Sequence, residues 1–145
     1  MRPGEEELRP RHPALRREPV VNLSGARSRR ARGARAEAVV VAWLRAEGYD
    51  IVATNLRLGP LEIDIVARRG PVVAVVEVRT RGSKALTTGM GSVTPSKRER
   101  IRRAGERLWQ RRYRHDKSVE RLRFDVASVG LDHTPPTLEY VVAAF

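Results

Sequence analysis

The chain has 145 residues, 41% hydrophobic and 32% charged, which is enough apolar content for one domain with a packed core. It contains no cysteine, so disulfides, thiolate zinc sites and cysteine nucleophiles are excluded. Its 29 Lys and Arg against 17 Asp and Glu leave a formal net charge of +12, a field that favours nucleic acid or anionic surfaces as partners. The heavy preference for arginine is also what a biased genomic composition would give, so the position of the charges matters more than their sum.

The longest apolar runs have the length of a strand, far short of a membrane span. Glu5-Glu6-Glu7 stands where the apolar region of a signal peptide would begin, so a soluble, cytoplasmic protein without a membrane partner is expected. Residues 1–30 carry Pro3, Pro10, Pro13 and Pro19 among scattered charge, with neither a helical nor a strand period, and read as a basic flexible arm. Arg9, Arg11, Arg16, Arg17, Arg27, Arg29 and Arg30 are available there to a phosphate backbone, although a solvated tail explains them more simply. The folded domain is expected over 31–145.

From about Ala31 the composition turns helical. Ala38, Val39, Ala42, Trp43 and Ala46 recur at three and four positions, and Gly48 suits the residue just past the helix end. Glu37 precedes this stripe by one position and on its own reads as ordinary surface. Residues 49–57 read as a strand closed by Gly59-Pro60. Next come Leu61-Glu62-Ile63-Asp64-Ile65-Val66 and Val72-Val73-Ala74-Val75-Val76-Glu77-Val78-Arg79, two β-branched runs around Arg68-Arg69-Gly70-Pro71, which predict a hairpin. Period-two geometry puts Glu62 and Asp64 on one face of the first run, and Glu77, Arg79 and Arg81 on one face of the second.

The stretch from Gly82 to Val93 has three glycines and no period, and predicts a mobile or binding loop. Thr94-Pro95-Ser96-Lys97 then opens a second helix, with Thr94 as N-cap, Pro95 at its first position and a buried stripe of Ile101, Ala104, Gly105, Leu108 and Trp109. Between positions 97 and 114 there are nine Lys or Arg and two acids. That local surplus makes Arg98, Arg100, Arg103, Arg107 and Arg111 candidates for phosphate contacts, against the plainer reading of a solvated helix face. Residues 122–129 read as a strand in which Asp125 is a candidate hydrogen-bond acceptor, and 138–142 as a terminal edge strand. His12, His115 and His133 share no metal-ligand spacing and read as surface residues.

Three carboxylates on paired strands among valine and isoleucine are hard to justify as packing, because an unpaired buried charge is costly. A hard divalent ion, Mg²⁺ or Mn²⁺, prefers such oxygen ligands and retains waters, and Asp64 and Glu77 across adjacent strands, with a carbonyl such as that of Val78, could hold one. Carboxylates behind a basic rim suit hydrolysis of a phosphodiester. The competing explanation is a cross-strand ion-pair ladder matching Glu62, Asp64 and Glu77 to Arg79 and Arg81.

Asp64 followed by Glu77-Val78-Arg79 after a hairpin of this length resembles the PD-(D/E)XK nuclease superfamily. More closely, the chain is similar to the YraN-like family of small bacterial proteins, themselves similar to Holliday-junction resolvases. The matching pieces are Gly33-Ala34-Arg35-Ala36-Glu37, Asn55-Leu56-Arg57, Leu61-Glu62-Ile63-Asp64-Ile65-Val66, Val76-Glu77-Val78-Arg79, Ser92-Val93-Thr94-Pro95-Ser96-Lys97, Arg123-Phe124-Asp125-Val126 and Ala144-Phe145, covering about 31–145. The resemblance implies an α/β fold with a restriction-endonuclease-like core, a central mixed β-sheet flanked by helices. It also implies a metal-dependent DNA endonuclease, with branched or damaged DNA as a candidate substrate and no small-molecule organic cofactor. By the family pattern Glu37 joins Asp64 and Glu77 as a metal-site acid acting by way of a water. Glu62 supports them, and Lys97 takes the place of the family's lysine after the loop.

Two positions depart from the pattern. The superfamily's lysine two residues after the glutamate is Arg79, which can orient water or stabilise negative charge but is a poor general base. Leu61 stands where the family usually has glycine. Two functions stay open: a metal-dependent endonuclease with Glu37, Asp64, Glu77, Arg79 and Lys97 as its catalytic group, or a DNA-binding module that keeps the core without turnover. A homodimer is left open by the sequence.

Overall fold

The computed structural model describes residues 23–81 and 93–145; the expected loop after Gly82 and the first part of the expected arm lie outside them. Among the described residues the chain runs α1 (Leu23–Ala46), β1 (Asp50–Leu58), β2 (Leu61–Arg69), β3 (Val72–Arg81), α2 (Pro95–Leu108), β4 (Arg121–Gly130) and β5 (Thr137–Val141). The strands form one sheet in the order β1-β2-β3-β4-β5. β1, β2 and β3 make an antiparallel meander, β3 and β4 pair in parallel, and β5 closes the edge antiparallel to β4. A parallel pair needs a crossover, and α2 supplies it. The result is a restriction-endonuclease-like α/β core, a mixed sheet flanked by two helices.

Both faces of the sheet are covered, which explains why β2, β3 and β4 read as nearly continuous apolar runs. Val66, Val73, Val75 and Val126 pack under Ile101, Ala104 and Leu108 of α2. Ile65, Ala67, Ala74, Val76, Ala127 and Val129 pack against Ala36, Val40 and Leu44 of α1. No described helix is long and apolar enough to cross a membrane.

The first helix differs from expectation in start and in phase. It begins at Leu23, not near Ala31, because arginine and alanine are good helix formers even where no apolar period marks them. Its fully buried line is Ala36, Val40 and Leu44, with Val39 and Trp43 half-buried and Ala38, Ala42 and Ala46 exposed. Alanines and the Val39-Val40-Val41 triplet give little angular contrast, so the stripe read from sequence was turned away from the true packing line. The corrected phase sets Glu37 directly beside that line.

The second helix starts as expected: Thr94 caps it, accepting from the Lys97 backbone N–H at 3.2 Å, with Pro95 in the first turn. Its end differs. Trp109–Tyr113 widens into a π-helical turn, closed by Arg114 N–H donating to the Trp109 carbonyl at 2.8 Å. The extra residue lets Leu108 and Tyr113, five apart, both bury against the sheet, which a regular α-turn would prevent.

Candidate active site

The site forms where the sheet splits. β2 and β3 pair from Arg69↔Val72 up to Ile65↔Val76, and their ladder stops there. Beyond it, the start of β2 stays with β1 through Ile63, Glu62 and Leu61, while β3 stays with β4 as far as Arg81↔Gly130. Asp64 and Glu77 are the next residues on either side of this fork. Alternation places Asp64 with Val66, and Glu77 with Val73 and Val75, on the α2 face. Val78, whose N–H has lost a β2 carbonyl, donates instead to Asp64 Oδ2 at 2.8 Å. The fork therefore fixes the Asp64 carboxylate against the strand that carries Glu77.

Capping by Thr94 sets the azimuth of Lys97 in the first turn of α2, and its ammonium lies 2.7 Å from Glu77 Oε1. One turn on, Arg100 and Ile101 complete a cavity of about 200 Å³ lined also by Leu61, Glu62, Asp64, Glu77 and Lys97. Glu77 is 7% exposed. Arg79 is its other cationic neighbour, with Nη1 3.8 Å from Oε1. Glu62 sits at the exposed rim and leans toward Arg57 at 3.8 Å.

The electrostatics single out Asp64. Burial raises its pKa to about 7, helped by the negative charge of Glu77 beside it and, more weakly, by Glu37; the Val78 N–H opposes the shift without cancelling it. Asp64 therefore gains and loses its proton near neutral pH, while Lys97 contacts Glu77. A divalent cation between the two would remove that cost, so the donor set fits a hard ion. It does not form a closed cage: among the described residues no three His, Cys, Asp or Glu side chains group to hold a metal. Two carboxylates with the remaining positions left to water and phosphate oxygens is the usual arrangement for Mg²⁺.

Glu37 approaches the site from α1 and is held by an amide. Asn55 Nδ2 donates to Glu37 Oε2 at 2.9 Å. Asn55 lies in β1 between Thr54↔Ile65 and Leu56↔Ile63, hence opposite Asp64, and has φ 50°. Asparagine tolerates this left-handed conformation better than most residues, which suits it to the position. Sequence reasoning gave Asn55 no role, although Asn55-Leu56-Arg57 was among the motifs that carried the resemblance. Glu37 does not line the cavity, but its field reaches Asp64.

Of the ion-pair ladder the structure has the Glu77–Arg79 contact, which lies within β3 and not across strands. Glu62 turns to Arg57, Arg81 pairs with Glu139 of β5, and Asp64 has a backbone N–H and a carboxylate as its neighbours. The basic helix is less uniform than its sequence. Arg98 Nε donates to the Val93 carbonyl at 3.1 Å and its guanidinium lies over Phe145, while Arg107 Nη1 donates to the Leu58 carbonyl at 2.9 Å and ties down the β1–β2 turn. Arg103 sits 3.6 Å from Glu99 on the exposed face, and Arg100 and Arg111 are exposed. Asp125 is fully buried away from the cavity. It accepts from Arg123, from the Tyr140 hydroxyl at 2.6 Å and from the Ala143 N–H at 2.9 Å, and Arg123 in turn donates to the Tyr49 hydroxyl at 2.7 Å. This network locks β4 to β5 and to the entry of β1. His115 and His133 are exposed, and His12 lies outside the described residues.

Comparison with known proteins places the chain. Residues 36–129 match the model of a family described as Uncharacterised protein family UPF0102, a span that runs from Ala36 beside Glu37 through β4. A UPF0102 protein of Sorangium cellulosum is 54% identical over 119 residues, covering 81% of this chain and 83% of its own. Relatives of the same description from Geotalea uraniireducens and Nitratidesulfovibrio vulgaris are 35% and 36% identical, covering 78% and 81% of this chain and 87% and 86% of theirs. The chain belongs to the UPF0102 family.

Proposed function

We propose that the protein is a Mg²⁺- or Mn²⁺-dependent endonuclease that hydrolyses phosphodiester bonds in DNA, branched or damaged molecules being its candidate substrates. The observation that carries this reading is the pair of Asp64, half-buried, and Glu77, buried, on either side of the fork with Lys97 against one of them. Such a pair is an expensive way to pack a sheet and an apt way to hold a hard cation.

Asp64 and Glu77 would hold the ion, and Glu37 would assist them by way of a water. The bound ion would offset charge growing on the scissile phosphate and favour ionisation of the attacking water. The chain's own groups do the rest. Asn55 fixes the Glu37 carboxylate, so that a water hydrogen-bonded to Glu37 is held in one orientation. The Lys97 ammonium is shared between Glu77 and an incoming phosphate oxygen. In the hydrolysis, the water oxygen bonds to phosphorus as the bond to the leaving oxygen breaks, one proton of the water passing to solvent and the leaving oxygen taking one from solvent. Arg79 keeps its proton throughout and serves only as positive charge. Arg100 at the cavity, with Arg103 and Arg111 on the exposed face, is suited to the flanking phosphates.

The close Lys97–Glu77 pair favours a second reading, a DNA-binding protein in which the lysine replaces the cation permanently. A cleavage panel of linear, nicked and four-way DNA with Mg²⁺ or Mn²⁺, run beside Asp64→Asn, separates the two. Cation-dependent cleavage lost in the variant supports the nuclease; binding without cleavage on every substrate supports the module.

A further inference from the structure

One strongly charged element has no packing role in the fold. α1 runs for 24 residues, yet its buried line begins only at Ala36. Residues 23–35 contain Arg27, Arg29, Arg30, Arg32 and Arg35 and no acid, and 27–32 are all exposed. At about 100° per residue these five guanidinium groups are spread around the whole helix axis. Arg27 and Arg30, Arg29 and Arg32, and Arg32 and Arg35 stand three apart and repel. Among the described residues, the one ion pair from this segment joins Arg32 to Asp132 across 3.8 Å of exposed surface, too weak to neutralise it. A helix that is polar all round, without an apolar stripe, has little to hold it in water. What would hold it is a polyanion.

The position of the segment says which one. The same helix carries Glu37 two residues after Arg35, and the Glu37 carboxylate is tied to Asn55 opposite Asp64. The arginine segment is thus rooted at the candidate active site. Arg27 stands about 15 Å from Glu37 along the axis, ten residues at a helical rise. That length matches about four base-pair steps of a duplex. A lipid surface would need an apolar face on the helix, and beyond Leu23 this segment offers only alanine.

We propose that residues 23–35 form a second nucleic-acid contact surface, distinct from α2 and on the other face of the sheet, which grips the phosphates of DNA flanking the cleavage position. The proposal rests on the nuclease reading above and adds an anchor that the motifs do not mark.

The test is binding of the full chain to a labelled duplex in chelator, by fluorescence anisotropy across a salt series. Arg27→Gln with Arg29→Gln and Arg30→Gln should weaken binding about tenfold at low salt and make the log–log salt slope shallower by about two to three. The corresponding triple lysine variant should keep both, and amide hydrogen exchange over 26–35 should slow when DNA is added to the wild type. Unchanged affinity and slope in the glutamine triple, with binding lost in Arg100→Gln, Arg103→Gln, Arg111→Gln, would overturn the inference and leave the proposed function standing. No salt-dependent binding by the wild type would sink both. Wild-type binding to phosphatidylserine vesicles as strong as to DNA, lost in the glutamine triple, would reassign the surface to a membrane and overturn the inference.

Discussion

Replacing Asp64 by Asn probes the site without requiring turnover. The substitution keeps the shape and an oxygen able to accept the Val78 N–H, and it removes one ionisable group. Asp64 rises from an ordinary carboxyl value of 3.8 to about 7 in the folded protein, chiefly through burial and secondarily through Glu77. Between those values the folded chain holds a proton that the unfolded chain has released. Stability therefore falls as pH rises through that window. Three units correspond to about 4 kcal/mol at most, and sharing of the proton with Glu77 reduces this to roughly 2–4 kcal/mol. The asparagine variant lacks this loss. Urea unfolding at pH 4.5, 6 and 8 should show the variant more stable by about 1 kcal/mol at pH 4.5, just above the unfolded carboxyl value, with the gap growing to roughly 2–4 kcal/mol at pH 8. Millimolar Mg²⁺ at pH 8 should narrow the gap by stabilising only the wild type. Parallel pH profiles for wild type and variant would refute the reading of Asp64 as a half-buried carboxyl whose pKa is raised beside Glu77.

Lys97→Ala should lower the cleavage rate much more than DNA affinity, whereas Arg79→Lys should be tolerated; equal losses in rate and binding for Lys97→Ala would make it a mere phosphate contact. Gly105→Ala should cost about 1–3 kcal/mol, seen as a lower thermal midpoint, because an added Cβ would lie 2.6 Å from the Phe124 ring, itself packed on Phe145 at 5.5 Å. Asp125→Ala should cost about 3–5 kcal/mol, since it strands the Arg123 guanidinium and the Tyr140 hydroxyl in the interior. A loss under about 1 kcal/mol in denaturant would show that the network is not structural.

The parts of the fold legible in sequence were those whose pattern is local. The β-branched runs either side of Gly70-Pro71 and the Thr94-Pro95 cap each state their structure within a few residues, and the hairpin register follows from them. Where tertiary packing decides, the sequence said less. Val39-Val40-Val41 can present any of three faces until a sheet selects Val40. The arginines of 23–35 carry helix propensity without periodicity, so the helix start was invisible to a search for apolar stripes. Which guanidinium groups of α2 stay free depends on carbonyls at Leu58 and Val93, which no charge count contains. At the site, Asp64, Glu77 and Lys97 were nameable from motif spacing. The fork that brings the two acids together, and the left-handed Asn55 that ties Glu37, emerge only from the pairing of β1, β2 and β3.

The most direct measurement is calorimetric titration of Mn²⁺ or Mg²⁺ into the protein at pH 7, with DNA present, in two buffers of different ionisation enthalpy. A cation held between Asp64 and Glu77 must displace the proton on Asp64, whose pKa is raised to about 7. Binding should thus release roughly half a proton at this pH, less at pH 8, and none in Asp64→Asn, which should bind the ion weakly or not at all. Absence of cation binding, or binding of the same strength and proton release in Asp64→Asn, would contradict a metal site at the fork.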